Sequence, residues 1–218
     1  WELNGEEVSK ANPYDFTLSD ETAGDYTAVY LAPTLDKLSF TLNDDGETYS
    51  VKALNTDIQG EVVIPAVYNG KSVTIIKESA FYYCQSLISV TIPNSVTSIG
   101  NLAFYYCKNL TNVKIPNSVT NIGDDAFNSC SSLVSIIIPN SVTSVGEYAF
   151  SCCYSLTSVT IPNTITDIGS WAFSGCRSLT SIKIPESVEI IPEKAFSGCC
   201  SLTDRKSTRL NSSHVSES

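Results

Sequence analysis

Three kinds of residue are scarce in this sequence: methionine is absent, histidine occurs once, as His214, and basic residues number 13 against 23 acidic ones. The resulting net charge of −10 argues against a nucleic-acid-binding protein, because a basic surface supplies most of the affinity for nucleic acid. No stretch approaches the roughly 20 apolar residues of a membrane span, so we expect no membrane insertion. Because the chain starts at Trp1 and holds no methionine, we expect its natural start to lie upstream.

A repeat with a period of 23 residues fills most of the chain. Its six phenylalanines are Phe81, Phe104, Phe127, Phe150, Phe173 and Phe196. A cysteine follows each of them by three residues, at Cys84, Cys107, Cys130, Cys153, Cys176 and Cys199. An Ile-Pro pair keeps the same step from Pro93 to Pro185, and an earlier pair at Pro65 indicates a five-residue insertion around "VYNGK". A fixed period of this length predicts a solenoid in which each unit buries its apolar edge against its neighbours.

One unit, "LTSVTIPNTITDIGSWAFSGC" at residues 156–176, indicates the shape of each rung. Val159 and Ile161 alternate with polar residues, as on a strand with one buried side, and the proline that follows ends the strand. Gly169 is expected to adopt a positive φ where the chain turns. The remaining "SWAFSGC" suits one or two helical turns with Phe173 on the inward face. The pattern predicts a coil of strand, extended segment and short helix, with strands stacked in register as a parallel sheet.

The run "IPNSVTSIGNLAFYYCKNLTNVKIP" resembles the BspA-like leucine-rich repeats, and the resemblance covers about residues 61–203 in six copies. It implies a leucine-rich-repeat solenoid, a β-rich fold of parallel β-sheet with short helical turns. Lys77 and Pro192 stand where the inner copies have a glycine, and they belong to the terminal rungs, which are expected to be atypical. Where many leucine-rich repeats have asparagine, this chain has a hydroxyl that can still bond a neighbouring rung's backbone. These positions are Ser95, Ser118, Ser141, Thr164 and Ser187.

Two segments precede the repeats. The sequence "LSFTLNDDGETYSVKAL" predicts a β-hairpin whose turn is centred on Asp45-Gly46 and which caps the first rung. The flanking apolar residues are Phe40, Leu42, Tyr49 and Val51. The residues before it, with an expected Asn4-Gly5 turn, resemble the C-terminal half of the small all-β B-repeat modules of bacterial surface proteins such as internalins. The matching residues are Trp1, Gly5, Pro13, Tyr14, Phe16, Thr17, Tyr26, Ala28 and Tyr30.

The chain ends in "DRKSTRLNSSHVSES", which breaks the repeat. The repeat predicts apolar side chains near positions 205 and 207, where Arg205 and Ser207 stand. Residues 204–214 are also what a widely used sequencing adapter encodes, codon for codon. We therefore expect residues 204–218 to be a non-native tail that adds nothing to the fold, with the natural protein continuing past Thr203.

Together these patterns predict four segments. They are a truncated all-β surface-repeat module and linker at residues 1–38, a β-hairpin cap at 39–60, a solenoid of six rungs at 61–203, and the non-native tail at 204–218.

The repeated cysteines allow a metal site, disulfides, or a buried column of thiols. Metal sites need closely spaced ligand pairs, which single cysteines 23 residues apart do not supply. A disulfide requires Cβ atoms about 3.5–4.5 Å apart, slightly less than the rise of one rung. We expect the column to be buried and reduced. Cys152 and Cys200 break the pattern and are expected to be the exposed thiols, with pairing to a segment outside this sequence left open.

Signals of catalysis are weak. Without the tail the chain has no histidine to act as a base for a serine nucleophile. No phosphate-binding loop, G-x-G-x-x-G or zinc motif occurs. A calcium loop aligned on Gly46 would need acidic residues where Thr41 and Lys52 stand, and the pair Asp124-Asp125 suits a solvated turn. We expect a protein that is not an enzyme and takes no cofactor or metal.

Two sets of residues are candidates for binding a macromolecule. The first set is the outward positions of the strands, which line the concave sheet of a curved solenoid. They are Ser89, Thr91, Asn112, Lys114, Ser135, Ile137, Ser158, Thr160, Ser181 and Lys183. The second set is a tyrosine cluster, since adjacent exposed tyrosines favour recognition. It consists of Tyr82, Tyr83, Tyr105 and Tyr106. A solvated sheet face and tyrosines packed between turns are the alternatives.

The resemblance to BspA-like proteins implies a non-catalytic adhesion or protein-interaction module of a larger cell-surface or secreted protein. Its expected partner is a protein or other macromolecule on a host or neighbouring cell, bound by a monomeric module in an extracellular or surface location. Two alternatives remain open, an accessory binding domain of a secreted hydrolase and a structural spacer.

Overall fold

The computed structural model describes residues 34–203 and the backbone of two short strands before them. These strands, β1 (Glu2–Leu3) and β2 (Glu6–Glu7), pair antiparallel, with Glu2 opposite Glu7. The predicted Asn4-Gly5 turn, the rest of the expected N-terminal β-module through residue 33, and the expected tail at 204–218 lie outside the described residues. The predicted segment boundaries stay a prediction.

A β-hairpin begins the described part of the chain. A 3-10 helix at Leu35–Lys37 leads into β3 (Leu38–Leu42), which pairs antiparallel with β4 (Thr48–Ala53). Phe40 lies opposite Val51 in this hairpin. In the turn, the Asp45 carboxylate accepts hydrogen bonds from the Thr48 hydroxyl and from the Thr48 and Glu47 N–H groups, which lowers its pKa. Asp45 therefore closes the turn.

The first rung follows the hairpin and pairs with it. Its strands are β5 (Gly60–Val63), β6 (Val67–Tyr68) and β7 (Lys71–Ile76). Strand β7 lies parallel to β4, with a register shift after Tyr49, and antiparallel to β6. The hairpin thus supplies the backbone partner that the first rung would otherwise lack on this edge.

The following rungs contain two columns of short strands. In chain order they are β8 (Leu87–Thr91), β9 (Ser98–Ile99), β10 (Asn112–Lys114), β11 (Asn121–Ile122), β12 (Ser135–Ile137), β13 (Ser144–Val145), β14 (Ser158–Thr160) and β15 (Asp167–Ile168). In the first column β8 pairs with β5 and β10, and β12 pairs with β14. The second column runs β7-β9-β11-β13-β15. All these pairs are parallel. They are in register at the predicted step of 23 residues, except that β5 pairs with β8 with a register shift after Gly60.

The core runs along the axis of the coil. The phenylalanines from Phe81 to Phe173 are fully buried, and consecutive rings stack with centroids 5.0 to 5.5 Å apart. Val159 and Ile161 are buried while Ser158 and Thr160 are exposed, so the predicted strand faces are correct. The structure confirms the predicted leucine-rich-repeat solenoid of parallel β-sheet.

The segments expected to be helical turns are instead runs of three overlapping β-turns. In one rung, Ala80 N–H donates to Lys77 O, Tyr82 N–H donates to Ser79 O and Cys84 N–H donates to Phe81 O. The alternate N–H groups point to the next rung, where Phe81 donates to Ala103 O and Tyr83 to Tyr105 O. Because these donors serve the neighbouring rung, they are unavailable for the i to i−4 bonds of a helix. Within residues 34–203, no helix combines the length and the apolar surface needed to cross a membrane.

These turns need positive φ at two positions in each rung. One column is Ser79, Leu102, Asp125, Tyr148, Trp171 and Lys194, and the other is Tyr83, Tyr106, Ser129, Cys152, Gly175 and Gly198. Each lies third in a four-residue turn, which is where a type II turn requires positive φ. The expectation of a positive φ at Gly169 is wrong, because that angle falls two residues later, on Trp171.

Glycine is required at Gly100, Gly123, Gly146 and Gly169 for another reason. A Cβ at Gly146 would lie 2.6 Å from the carbonyl carbon of Gly123, and the other three meet backbone or side-chain atoms at 2.4 to 2.6 Å. These glycines therefore let successive rungs approach closely. Lys77 is tolerated because it belongs to the first rung. In the last rung, Pro192 occupies the position of Gly169. Because proline has no N–H, Pro192 cannot form a hydrogen bond like the one that Gly169 N–H donates to Val145 O. The second strand column of the described residues ends before it, at β15.

Candidate binding surfaces of the solenoid

Eight of the ten predicted strand-face residues lie on strands β8, β10, β12 and β14 of the first column, and Ser181 and Lys183 occupy the same repeat positions one rung later. In register, Asn112 lies beside Ser89 and Lys114 beside Thr91, while Ile137 lies beside Thr160. Ser89 is half-buried and the other nine are exposed. The face is mostly hydroxylic, and Ile137, with 68% of its surface exposed, is its large apolar side chain.

The five repeated serine and threonine residues from Ser95 to Ser187 form a hydroxyl column along the solenoid. They were expected to hydrogen-bond between rungs, and four of the five do so. The hydroxyls of Ser118, Ser141, Thr164 and Ser187 donate to the carbonyls of Val96, Val119, Val142 and Ile165 of the preceding rung. The hydroxyl of Ser95, in the first full copy, is buried and has no partner among the described residues. The column therefore ties adjacent rungs together.

The six cysteines of the repeat, Cys84 to Cys199, form a thiol column along the solenoid. From Cys107 onwards, each thiol lies close to a backbone carbonyl of the preceding rung. The Sγ of Cys107 lies 3.0 Å from Phe81 O, and the column continues with Cys130 to Phe104, Cys153 to Phe127, Cys176 to Phe150 and Cys199 to Phe173. Burial raises the pKa of the Cys84 thiol to about 11, and burial also raises the pKa of the Cys130 thiol well above its ordinary value. All eight cysteines are free thiols. Five column members are buried and Cys199 is half-buried, while Cys152 is half-buried and Cys200 is exposed.

The four predicted tyrosines form one stacked cluster. Tyr82 stacks on Tyr105 with centroids 5.2 Å apart, and Tyr83 lies 4.5 Å from Tyr106. Within each rung, the ring centroids of Tyr82 and Tyr83 are 4.7 Å apart, and those of Tyr105 and Tyr106 are 6.1 Å apart. Tyr82 and Tyr83 are about 40% and 38% exposed. The turns fix this arrangement, because Tyr83 N–H donates to Tyr105 O and Tyr106 N–H donates to Asn128 O.

Three neighbouring residues extend the cluster. The Nζ of Lys108 lies 4.3 Å from the centroid of Tyr106, and the Cζ of Arg177 lies 4.9 Å from that of Tyr154. Sequence reasoning missed these residues, although Lys108, Tyr154 and Arg177 occupy one position of the repeat, two residues after the second tyrosine. We call the surface formed by residues 82–86, 105–109, 128–132, 151–155 and 174–178 the corner face.

The pKa values of two corner-face phenols, Tyr105 and Tyr154, are raised, so both stay protonated at neutral pH. Burial, followed by the neighbouring tyrosines and Asp125, raises the pKa of Tyr105. A hydrogen bond with Cys152 raises the pKa of Tyr154. The corner face therefore presents hydroxyl donors and two cations.

The aspartate pair Asp124-Asp125 also has a structural role. Asp124 Oδ1 accepts a hydrogen bond from Glu147 N–H at 2.8 Å, and Asn101 Oδ1 accepts one from Asp124 N–H at 2.9 Å. The Asp125 carboxylate accepts one from the Asn128 amide at 2.6 Å. Both carboxylates thus hold turns in place.

Comparison with known proteins agrees with this fold. The family described as the BspA type leucine rich repeat region matches residues 70–206 in six copies. The T. pallidum leucine rich repeat protein is 34% identical, with a TM-score of 0.73 over 77% of this chain and 78% of that one. A leucine rich cell surface protein from Faecalibacterium prausnitzii is 34% identical, with a TM-score of 0.58 over 82% of this chain and 55% of that one.

A leucine-rich repeat protein from Bacteroides ovatus is 28% identical, with a TM-score of 0.58 over 77% of this chain and 51% of that one. This chain thus spans about half the length of the two proteins from F. prausnitzii and B. ovatus. The comparison with curated proteins gives no match. The six-copy match and the similarity to the T. pallidum protein show that this chain belongs to the BspA-type leucine-rich-repeat family.

Proposed function

We propose that this chain is a non-catalytic, protein-binding module of a larger cell-surface or secreted protein, and that the corner face contacts the partner. The observation that carries the proposal is the stacked cluster of four tyrosines, two of them about 40% exposed. Tyrosine and arginine dominate the energetically important positions of protein interfaces. Because the rings are already stacked, little side-chain entropy is lost when a partner binds.

The strand face is a weaker candidate than the corner face. Its side chains are mainly serine and threonine, which are depleted among the residues that dominate binding energy. Ile137 is exposed there beside Thr160, and the other predicted members of the face are serine, threonine, asparagine and lysine. The strand face therefore serves as the rival site in the test below.

Several features of the described residues support a non-catalytic role. The buried thiols have raised pKa values and stay protonated, whereas a cysteine nucleophile needs a thiolate. The carboxylates of Asp45 and Asp124 are bound within turns. A role in adhesion to a host or neighbouring cell, and an extracellular location, are proposed from the description of the F. prausnitzii protein as a cell surface protein.

The test measures binding of the full chain to purified extracellular-matrix and cell-surface proteins by biolayer interferometry. The corner-face variant is Tyr83→Ser/Tyr106→Ser, and the strand-face control is Ile137→Glu/Thr160→Glu. We expect saturable binding that the corner-face variant loses by at least about tenfold, which corresponds to about 1.4 kcal/mol. The control should bind as the unchanged chain does.

Three other outcomes would contradict the proposal. Loss in the strand-face control alone would move the contact to the strands. Binding to insoluble polysaccharide in place of protein would favour the accessory domain of a hydrolase. Binding to neither would favour a structural spacer. Thermal melting of each variant separates lost binding from lost folding.

A further inference from the structure

The corner face is a basic island on an acidic protein. Residues 34–203 carry fourteen acidic and nine basic side chains, yet the stretches "YYCQS", "YYCKN", "NSCSS", "SCCYS" and "SGCRS" that form the corner face contain no acid. Their two charges are those of Lys108 and Arg177. The charge of this surface is therefore complementary to an acidic partner.

Both cations are held in place by aromatic rings and stay free of carboxylates. Lys108 lies over Tyr106 and Arg177 over Tyr154, a geometry that attracts a cation to the ring face. The ion pairs of the described residues are Lys71–Glu47 and Lys194–Glu193, and neither involves these two side chains. Their charges thus remain available to an incoming anion.

The spacing of the two cations fits an extended polypeptide. Lys108 and Arg177 share one repeat position three rungs apart, and the phenylalanine rings of those rungs are 5.0, 5.3 and 5.5 Å apart. The two positions are thus about 16 Å apart along the axis, whereas carboxylates at i and i+4 of an extended strand share a face and lie about 13 Å apart. The flexible lysine and arginine side chains cover the difference.

The tyrosine geometry favours a polypeptide over a sugar. Sugars stack on open aromatic faces, but here Tyr82 and Tyr83 face Tyr105 and Tyr106. Cations cover Tyr106 and Tyr154. The hydroxyl donors of the cluster suit carboxylates and backbone carbonyls.

We propose that the corner face binds an acidic, extended polypeptide segment that lies along the solenoid axis, with carboxylates four residues apart on Lys108 and Arg177 and with the tyrosine hydroxyls donating beside them. This inference rests on the proposed function, since it names the chemistry of the partner that the corner face would take.

The chain offers a matched control for the test. Lys114 and Lys183 lie on the strand face, and they too share one repeat position three rungs apart. Lys108→Gln/Arg177→Gln and Lys114→Gln/Lys183→Gln therefore remove two positive charges at equal spacing from different faces. Overall charge attraction weakens by the same amount in both variants.

The probe is a fluorescein-labelled peptide of about twelve residues with glutamate at every fourth position, and its counterpart has glutamine there. Fluorescence anisotropy with the full chain at low and physiological salt gives the Kd. We expect the glutamate peptide to bind and the glutamine peptide to bind at least about tenfold more weakly. The corner-face variant should lose about tenfold in affinity, while the strand-face variant should change by less than about twofold.

Equal losses in the two variants would show unspecific charge attraction and overturn the proposal. Binding of a heparin oligosaccharide that needs Lys108 and Arg177, with no binding of the peptide, would assign the surface to an anionic glycan. If the peptide fails while a matrix protein still binds through Tyr83 and Tyr106, the partner class is wrong and the proposed function stands. If both fail, the proposed function fails as well.

Discussion

The central rungs and the last rung share one sequence pattern but differ in burial. Phe127, in a central rung, is fully buried, whereas Phe196 in the last rung is half-buried. Other core positions of the last rung are also only partly covered, namely Ile182, Ile184, Ile191, Cys199 and Leu202. The repeat pattern therefore determines the conformation of each rung, whereas burial of its apolar side chains depends on the neighbouring rungs. A solenoid gains its stability from contacts between nearest neighbours, and the last described rung has one such neighbour.

The largest test of this comparison is to remove the same ring from both places. Phe127→Ala should cost about 3–5 kcal/mol, because it leaves a cavity between two rungs. Phe196→Ala should cost about 1–2 kcal/mol, because its ring is half-buried and touches one rung. Urea denaturation followed by circular dichroism measures both. Equal losses would mean that the last rung is as well packed as the central one.

The second test compares two glycines within one rung. Gly169 has an ordinary φ, but a Cβ there would lie 2.4 Å from Glu147 N. Gly175 has φ +72°, and a Cβ there would find its nearest atoms in Cys152 at 3.5 Å, which is ordinary contact. Gly169→Ala should cost about 3 kcal/mol by forcing two rungs apart. Gly175→Ala should cost about 1 kcal/mol through backbone strain alone.

The reverse order in denaturation experiments would show that backbone strain, and not rung spacing, decides where this solenoid needs glycine. Lys77→Ala is the control for Gly169→Ala. Lys77 occupies the same repeat position in the first rung, where a side chain is already tolerated. The control substitution should change the free energy of unfolding by less than about 0.5 kcal/mol.

Sequence reasoning predicted the parts of the fold that depend on period and polarity. The positions of Val159 and Phe173 follow from alternation and from the 23-residue step, and the bonds of Ser118 and Thr164 follow from the repeated hydroxyl. The period does not reveal how the backbone turns. The role of Gly169 was therefore misassigned, since close approach and positive φ both favour glycine.

The candidate site was predicted only in part. The double tyrosines at Tyr82 and Tyr105 are visible as a sequence motif. Lys108 contacts Tyr106 within its own rung, whereas Arg177 contacts Tyr154 of the preceding rung. Aligning the repeats would have placed Lys108, Tyr154 and Arg177 at one position, but sequence alone does not show which way these side chains bend.

The buried thiols of the column and the exposed thiol of Cys200 are expected to affect the pH dependence of stability differently. Burial raises the pKa of Cys84 from 9.0 to about 11 and raises those of Cys107 and Cys130 as well, whereas Cys200 is exposed. Above pH 9 the unfolded chain loses thiol protons that the folded chain keeps, so the folded state binds more protons. Stability should therefore be full below about pH 9 and fall as the pH rises towards about 11.

Urea midpoints between about pH 8 and pH 10.5 measure this slope. Cys107→Ala/Cys130→Ala should flatten it, because two buried thiols no longer titrate on unfolding. Cys200→Ser should leave it unchanged, and a similar change in both variants would contradict the burial argument. At neutral pH, a thiol reagent should label Cys200 and Cys152 before the buried column.

The smallest effect is expected on the outward side of the same central rungs. Ile137 and Thr160 are exposed neighbours in register, so Ile137→Glu/Thr160→Glu should change the free energy of unfolding by less than about 0.5 kcal/mol. Two glutamates side by side repel each other, but water and salt screen exposed charges. Urea denaturation beside Phe127→Ala measures the contrast between two sides of one rung. A loss of more than about 2 kcal/mol in the glutamate variant would mean that the strand face is packed against another part of the chain. Because a covered strand face is closed to any partner, that result would also leave the corner face as the remaining candidate for binding.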